Sequence, residues 1–236
     1  MNTIKIDKGT TKLIAHRGLP FIERENTIKS FKEACIREYY GIECDIHATK
    51  DNEIIICHYD NIARVTGVNK RIKNLLFQDL IKIKIKDLNN NPSLSFPTLG
   101  EFIDICKEFN KISFIEIKNR MKIKNIIRIL KLLDNNTLSN DCVIISFSKS
   151  NIKKIRKINK DIKLELITKK YNNRIFRFLK KYNCDIDIFY KSINNEIIDY
   201  LHMNNIKINT WTVDDEKDAL RLIDMNVDYI TTNRLE

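Results

Sequence analysis

Gly41-Ile42-Glu43-Cys44-Asp45 reads as a strand that ends in charge. Two other stretches repeat the pattern: Ile14-Ala15-His16-Arg17-Gly18 and Phe114-Ile115-Glu116-Ile117-Lys118. Each places ionisable side chains where an apolar strand should stop. Such groups are costly to bury without partners, so three strand ends of this kind point to one shared site. A parallel barrel gathers strand ends into a single mouth and carries its active groups there.

The rest of the chain supports that architecture. Strand-like runs recur near residues 13, 43, 113, 143, 164, 186, 209 and 229, alternating with helical patterns. Thr27 opens a stripe through Phe31, Ala34, Cys35 and Glu38. Thr98 and Glu101 have the spacing of a capping box ahead of Leu99, Phe102, Ile103 and Cys106. Ser148 reads as the N-cap of a helix through Ile158. Helices are expected at Arg174–Tyr182 and Ile193–Met203, and Asp214, Asp215 and Glu216 suit the start of a last one. Alternation implies a parallel sheet, and eight repeats imply a closed α/β barrel. The strand near 55 is then an addition to the barrel, and residues 59–96 an irregular insertion between barrel strands 2 and 3. A short helix is expected near Lys73–Ile83. No linker interrupts the 236 residues, so 1–236 reads as a single domain. The helix due after the last strand is either missing or supplied by what precedes the first.

Composition narrows the function. Hydrophobic residues make up 43% of the chain, a globular rather than disordered proportion. No apolar run approaches the ~20 residues of a membrane span. The opening residues, with Lys5, Asp7, Lys8 and Lys12, hold no signal-peptide core. These features read as a soluble, cytoplasmic protein. The six cysteines stand singly and read as small buried hydrophobes. The formal charge is +11, but it is dispersed, without arginine-rich tracts interleaved with aromatics. That argues against nucleic acid and is compatible with an anionic small substrate.

Glu43 and Asp45 lie two apart on a strand and share a face, as do Glu116 and Lys118. If these strands close one barrel, three carboxylates meet around one cation. An all-oxygen, thiol-free set suits Mg²⁺ or Ca²⁺. Arg17 and Lys118 add positive charge for an anionic group. His16 and His58 are candidates for general acid and base, because imidazole titrates near neutrality. His47, two residues beyond Asp45, offers a less favoured Glu43-x-Asp45-x-His47 metal site, since the strand is expected to end before it and a third carboxylate already exists. Together these parts suit metal-assisted cleavage of a phosphate ester.

In order along the chain stand His16-Arg17-Gly18, Glu25-Asn26-Thr27, Glu43-x-Asp45 with Thr49 and Asp51, and His58. Arg64-Val65-Thr66-Gly67, Pro97-Thr98-Leu99, Ile115-Glu116-Ile117-Lys118, Ser146-Phe147, Trp211-Thr212-Val213 and Ile230-Thr231-Thr232-Asn233 follow. This ordered set, over about residues 12–233, resembles the glycerophosphodiester phosphodiesterase family. The resemblance implies a TIM-type (β/α)8 barrel of the PLC-like phosphodiesterase type and one divalent cation. It implies hydrolysis of glycerophosphodiesters to glycerol 3-phosphate and an alcohol. By position, Glu43, Asp45 and Glu116 would hold the metal, and His16 and His58 would be the acid/base pair. Arg17 and Lys118 would hold the phosphate, and Trp211 would line the glycerol or alcohol side. Two departures stand out: Arg24 replaces the proline usual before Glu-Asn-Thr, and Tyr59 replaces the aspartate usual after the second histidine, with Asp60 following. Such an aspartate would help orient the histidine.

Two other functions use the same residues. A lysophospholipase D would need an apolar groove, for which Ile72, Leu75, Leu76, Phe77, Ile81, Ile83 and Ile85 are candidates. A non-catalytic phosphate- or membrane-binding barrel has no need of both histidines and all three acids.

Overall fold

The structure is a computed structural model that describes residues 2–135 and 141–236. Met1 and residues 136–140, which the single-domain reading of 1–236 includes, lie outside the described residues. The strands, in chain order, are β1 (Lys12–Ala15), β2 (Gly41–Ala48), β3 (Ile54–Ile56), β4 (Ile85–Lys86), β5 (Pro92–Leu94) and β6 (Ile112–Ile117). They continue with β7 (Cys142–Ser146), β8 (Lys163–Thr168), β9 (Asp185–Phe189), β10 (Ile208–Trp211) and β11 (Tyr229–Thr232).

Strand pairing runs β1-β11-β10-β9-β8-β7-β6-β2, and β2 pairs back onto β1 to close the ring. Neighbouring staves are parallel, giving the eight-stranded barrel expected from the alternation. β3 stands outside the ring, antiparallel to the far end of β2, from Ala48↔Ile54 to Ile46↔Ile56. Helices fill the returns, among them Ile28–Cys35, Leu99–Glu108, Lys149–Ile158 and Glu216–Asp224.

Alternation along each stave separates two apolar layers. Ile42, Cys44, Ile115, Ile144, Leu164, Ile186 and Ile208 face outward into the main core beneath the helices. Phe31 and Phe102, from two neighbouring helices, meet there edge to face with ring centroids 4.7 Å apart. Fully burying side chains of this size contributes about 1.5–3 kcal/mol each. Inside the barrel lie Ile14, Phe114, Val143, Ile145, Ile167 and Tyr229. Gly41 is required by that filling: a Cβ there would stand 2.7 Å from both the Ile112 carbonyl oxygen and the Phe114 ring.

The local signals account for the helix starts. Thr98 and Glu101 form the full reciprocal capping box. Thr27 accepts from the Ser30 N–H at the start of Ile28–Cys35. Ser148 occupies the N-cap of Lys149–Ile158, but its hydroxyl makes no capping bond. Instead its N–H donates to Ser146 Oγ, 3.1 Å away. The residues before β1 run alongside those after β11. Ile4 pairs with Leu235 and exchanges backbone hydrogen bonds with Arg234 and Glu236.

Residues 59–96 are irregular, and the short helix expected near Lys73–Ile83 is a single turn inside that span. They hold a 3₁₀ turn at Ile72–Asn74, a four-residue helix at Phe77–Leu80 and the β4–β5 hairpin. Their apolar side chains form a separate small core of Ile55, Cys57, Ile62, Val65, Ile72, Leu80, Ile85, Leu94 and Phe96. Arg24 ties the first barrel loop to this insertion, donating from Nε to the Lys86 carbonyl at 2.8 Å and from Nη2 to that of Asp87 at 2.7 Å. The residue that departs from the family pattern therefore serves as a bridge.

Candidate active site

Strand register brings the acids together. Asp45 and Glu116 are direct cross-strand partners on β2 and β6, with Glu43 two residues back on the same face. Glu43, Asp45 and Glu116 are all buried, and each offers a carboxylate oxygen within 4.8 Å of those offered by the others. Glu43 Oε1 is buried with no hydrogen-bond partner. Asp45 Oδ1 and Glu116 Oε1 have only the Lys118 ammonium, at 3.2 and 3.0 Å, and do not form hydrogen bonds with it. Unshared oxygens on three clustered carboxylates fit a hard divalent cation.

The electrostatics of the three acids diverge. Burial, reinforced by Asp45 and Glu116, pushes the Glu43 carboxyl well above its ordinary range. Burial and then Asp45 push Glu116 up to about 7. Burial also acts to raise Asp45, but Lys118 and then Arg17 outweigh it and hold this carboxyl far below its ordinary value. Like charges crowded this closely cannot all ionise at neutral pH without a counter-charge.

The loop after β1 shapes the other wall. Arg17 takes a left-handed backbone (φ 56°), and its N–H donates to Glu43 Oε2 at 2.9 Å. Its Nε lies 3.2 Å from Asp45 Oδ2, and its Nη1 lies 3.3 Å from Glu25 Oε1. Gly18 follows at φ +79°, where a Cβ would stand 2.5 Å from Ser30 Oγ; only glycine fits this turn. Asn26 grips Asp45 twice: its Nδ2 donates to Oδ2 at 2.8 Å, and its Oδ1 accepts from the Asp45 N–H at 3.2 Å.

Both histidines reach the same cavity. A space of about 150 Å³ is lined by His16, Arg17, Glu43, His58, Glu116, Lys118, Phe147, Asp187 and Trp211, among others. Asp45 is not in its wall but lies behind, 1% exposed. Burial and then Arg17 push His16 down to about 4. Burial pushes His58 down to about 3, with Arg17 and Lys118 adding to the effect and Asp45 opposing it. Trp211 is half-buried, held by its Nε1–H donating to the Asp187 carbonyl at 3.2 Å and by edge contact with Phe147.

Two neighbours of the histidines take other roles than expected. β2 continues through Ala48, so His47 is still on the strand, yet it does not join the acids. Its Nε2 donates to the His58 carbonyl at 3.2 Å, and its Nδ1 accepts from Asn119. Asp60 does not orient the His58 ring; it accepts from the Lys73 N–H and lies 3.7 Å from the Lys73 ammonium. The Tyr59 ring stands edge-on to His58, centroids 4.1 Å apart.

Three further polar residues, without a role readable from the sequence, stand at the site. Asn233 Oδ1 accepts from His16 Nδ1 at 2.8 Å, and Asp214 holds the Asn233 amide through Nδ2 at 2.6 Å and the Asn233 N–H at 2.7 Å. Asp187 lines the cavity with a buried, unpartnered Oδ1. Asp187 carries a signal that could have found it: Asp185-x-Asp187 repeats the strand pattern of Glu43-x-Asp45. Deeper in the barrel, Glu165 accepts from Asn209 Nδ2 at 3.0 Å, and burial and then Asp187 push its carboxyl well above the ordinary range.

Residues 16–236 match the model of the glycerophosphoryl diester phosphodiesterase family. A glycerophosphodiester phosphodiesterase of Caldanaerobacter subterraneus subsp. tengcongensis is 27% identical over 231 residues, covering 94% of each chain. Among solved structures, an Oleispira antarctica phosphodiesterase in complex with the product sn-glycerol-3-phosphate superposes with a TM-score of 0.87 at 18% identity. That match covers 94% of this chain and 92% of the other. A glycerophosphodiester phosphodiesterase from Thermotoga maritima gives a TM-score of 0.76 at 20% identity, covering 94% of both chains.

Proposed function

Because this chain belongs to the glycerophosphoryl diester phosphodiesterase family, we propose that it hydrolyses glycerophosphodiesters to sn-glycerol 3-phosphate and an alcohol with the help of one divalent cation. The observation that carries this reading is the cluster of Glu43, Asp45 and Glu116 set beside two histidines and Lys118 at one cavity.

Glu43, Asp45 and Glu116 would hold the cation, Mg²⁺ or Ca²⁺. When bound, the cation supplies Lewis-acid polarisation of the phosphoryl group and offsets the charge that builds there. Lys118 and Arg17, each already paired to Asp45, hold the phosphate between them. His16 is the base. The Asn233 amide is oriented by Asp214, so Oδ1 faces the ring and Nδ1 keeps the proton, leaving Nε2 to take one from the attacking oxygen. His58 returns a proton to the departing alkoxide. Besides burial, Arg17 and Lys118 are what lower its proton affinity, and a bound phosphate neutralises both. Trp211 and Phe147 close the small cavity against water, on the glycerol side.

The competing enzyme reading finds little support. Of the apolar residues of the insertion, Ile72 and Ile85 are spent on its own core, with Leu75, Phe77 and Ile83 packed against it. Among the described residues no helix is long and apolar enough to cross a membrane. We therefore favour a deacylated diester over a lysophospholipid. All six cysteines are buried and unpaired, which suits the reducing cytoplasm where we place the reaction.

Incubation with glycerophosphocholine should release sn-glycerol 3-phosphate. EDTA should stop the release, and Mg²⁺ or Ca²⁺ should restore it. Absent or chelator-insensitive release would overturn the reading.

A further inference from the structure

A second, larger chamber of about 830 Å³ opens beside the catalytic cavity. His58 and Lys118 line both spaces. A diester whose phosphate rests at Lys118 therefore has one arm in the small cavity and the other in the chamber. The small cavity has the volume of about five waters at ~30 Å³ each, room for a three-carbon polyol and little more. The leaving alcohol belongs in the chamber.

The chamber is cationic. Arg64, Arg71 and Lys73 come from the insertion, and Arg120 from the segment after β6. Asp60 is the one carboxylate in its lining, and it is already engaged by the Lys73 backbone N–H and ammonium. Arg64 is committed to Glu25. Arg71 and Arg120 are different. Both are exposed, and among the described residues neither guanidinium has a carboxylate or other hydrogen-bond partner. Two unpaired guanidiniums facing a concave space suit a phosphate, which each can grip through paired N–H donors.

The chamber also lacks what a choline head group needs. Quaternary ammonium ions are held against aromatic faces. Tyr59 is the one aromatic residue in the lining, and the Arg64 guanidinium already lies 5.1 Å from its ring centroid.

We infer that the chamber is a subsite for a leaving alcohol that itself carries a second phosphate, bound by Arg71 and Arg120. The inference rests on the diesterase reading above. It narrows the substrate class to doubly anionic glycerophosphodiesters. The second phosphate can be a monoester on a polyol ring, as in glycerophosphoinositol 4-phosphate. It can equally be a second diester, as in 1,3-bis(glycerophospho)glycerol.

The test compares kcat/KM for those two compounds and glycerophosphocholine, in the wild type and in the Arg71→Gln/Arg120→Gln double variant. The wild type should prefer at least one doubly anionic substrate by about tenfold, mostly through KM, the size expected of two exposed charge pairs. The double variant should lose that preference and its sensitivity to salt, while changing far less on glycerophosphocholine. Which of the two doubly anionic substrates shows the effect identifies the source of the phosphate. No preference in the wild type, or an equal loss on all three substrates, overturns the inference and leaves the diesterase reading intact. So does a variant that differs only in binding phosphatidylglycerol vesicles, which would make the patch a membrane contact. An enzyme inert on every diester would instead overturn the diesterase reading. Titration calorimetry in EDTA with glycerophosphoglycerol, the anionic alcohol released from the bis-diester and itself a diester, reads the subsite without turnover. Equal binding by wild type and variant overturns the inference whatever the activity.

Discussion

Asn233 Oδ1 lies 2.8 Å from His16 Nδ1, and it fixes which nitrogen of that ring carries the proton. The amide cannot turn over without losing its own bond to Asp214, so the order Asp214–Asn233–His16 sets one tautomer. Replacing Asn233 by Ala should lower kcat about 10–100-fold with little change in KM, because substrate contacts are left in place. Steady-state kinetics separates the two parameters, and a loss confined to KM would remove this role.

The two histidines should fail differently. His16→Ala and His58→Ala should each reduce turnover of glycerophosphocholine by at least ~100-fold. A diester with 4-nitrophenol as the leaving group needs no protonation of the departing oxygen. His58→Ala should recover most of its activity on that substrate, and His16→Ala should not. Recovery of His16→Ala alone would exchange the two roles.

Crowded carboxylates would make the proposed metal site costly without its cation. Glu116→Gln removes a buried charge that burial and Asp45 both disfavour. In EDTA the variant should therefore be more stable than the wild type, by ~1–2 kcal/mol at pH 8. The wild type should gain ~2.7 kcal/mol at a cation concentration 100 times its Kd, and the variant little or nothing. Thermal melts with and without Mg²⁺ or Ca²⁺ check both halves.

Glu165 sets a pH dependence of its own. Its folded pKa is raised above the ordinary 4.5, so the folded state holds a proton that the unfolded state has released. The stability this gives is complete below pH ~4.5 and is lost as pH rises through the folded pKa. Glu165→Gln keeps an oxygen for Asn209 but has no charge to bury. Its melting temperature should match the wild type at pH 4 and exceed it at pH 8 by about 2–4 °C for each kcal/mol gained.

The barrel was legible because its signals repeat. Eight apolar runs with helical stripes between them leave few topologies open, and the strand-end charges mark which end holds the site. Glu43, Asp45 and Glu116 converge because Asp45 pairs with Glu116 across β2 and β6. The insertion was not legible, since its helices and strands are two to four residues long and too short to show a period. Asn26 and Asn233 stand in quoted motifs and Asp214 at a helix start, yet their roles were not legible, because each works through one or two hydrogen bonds to a residue distant in sequence. His47 shows the limit of periodicity itself. Its position on β2 agrees with that of Asp45, yet its ring is taken up by the His58 carbonyl and Asn119.

The small core of the insertion separates two kinds of failure. Ile55 and Cys57, just before His58, are anchored in that cluster rather than in the main core beneath the helices. Loosening nine buried side chains would release one of the two histidines while the ring of eight strands stayed closed. Inactivation by heat or by a protease nick in the insertion should then run ahead of any loss of circular dichroism. Such a chain would be silenced without being unfolded.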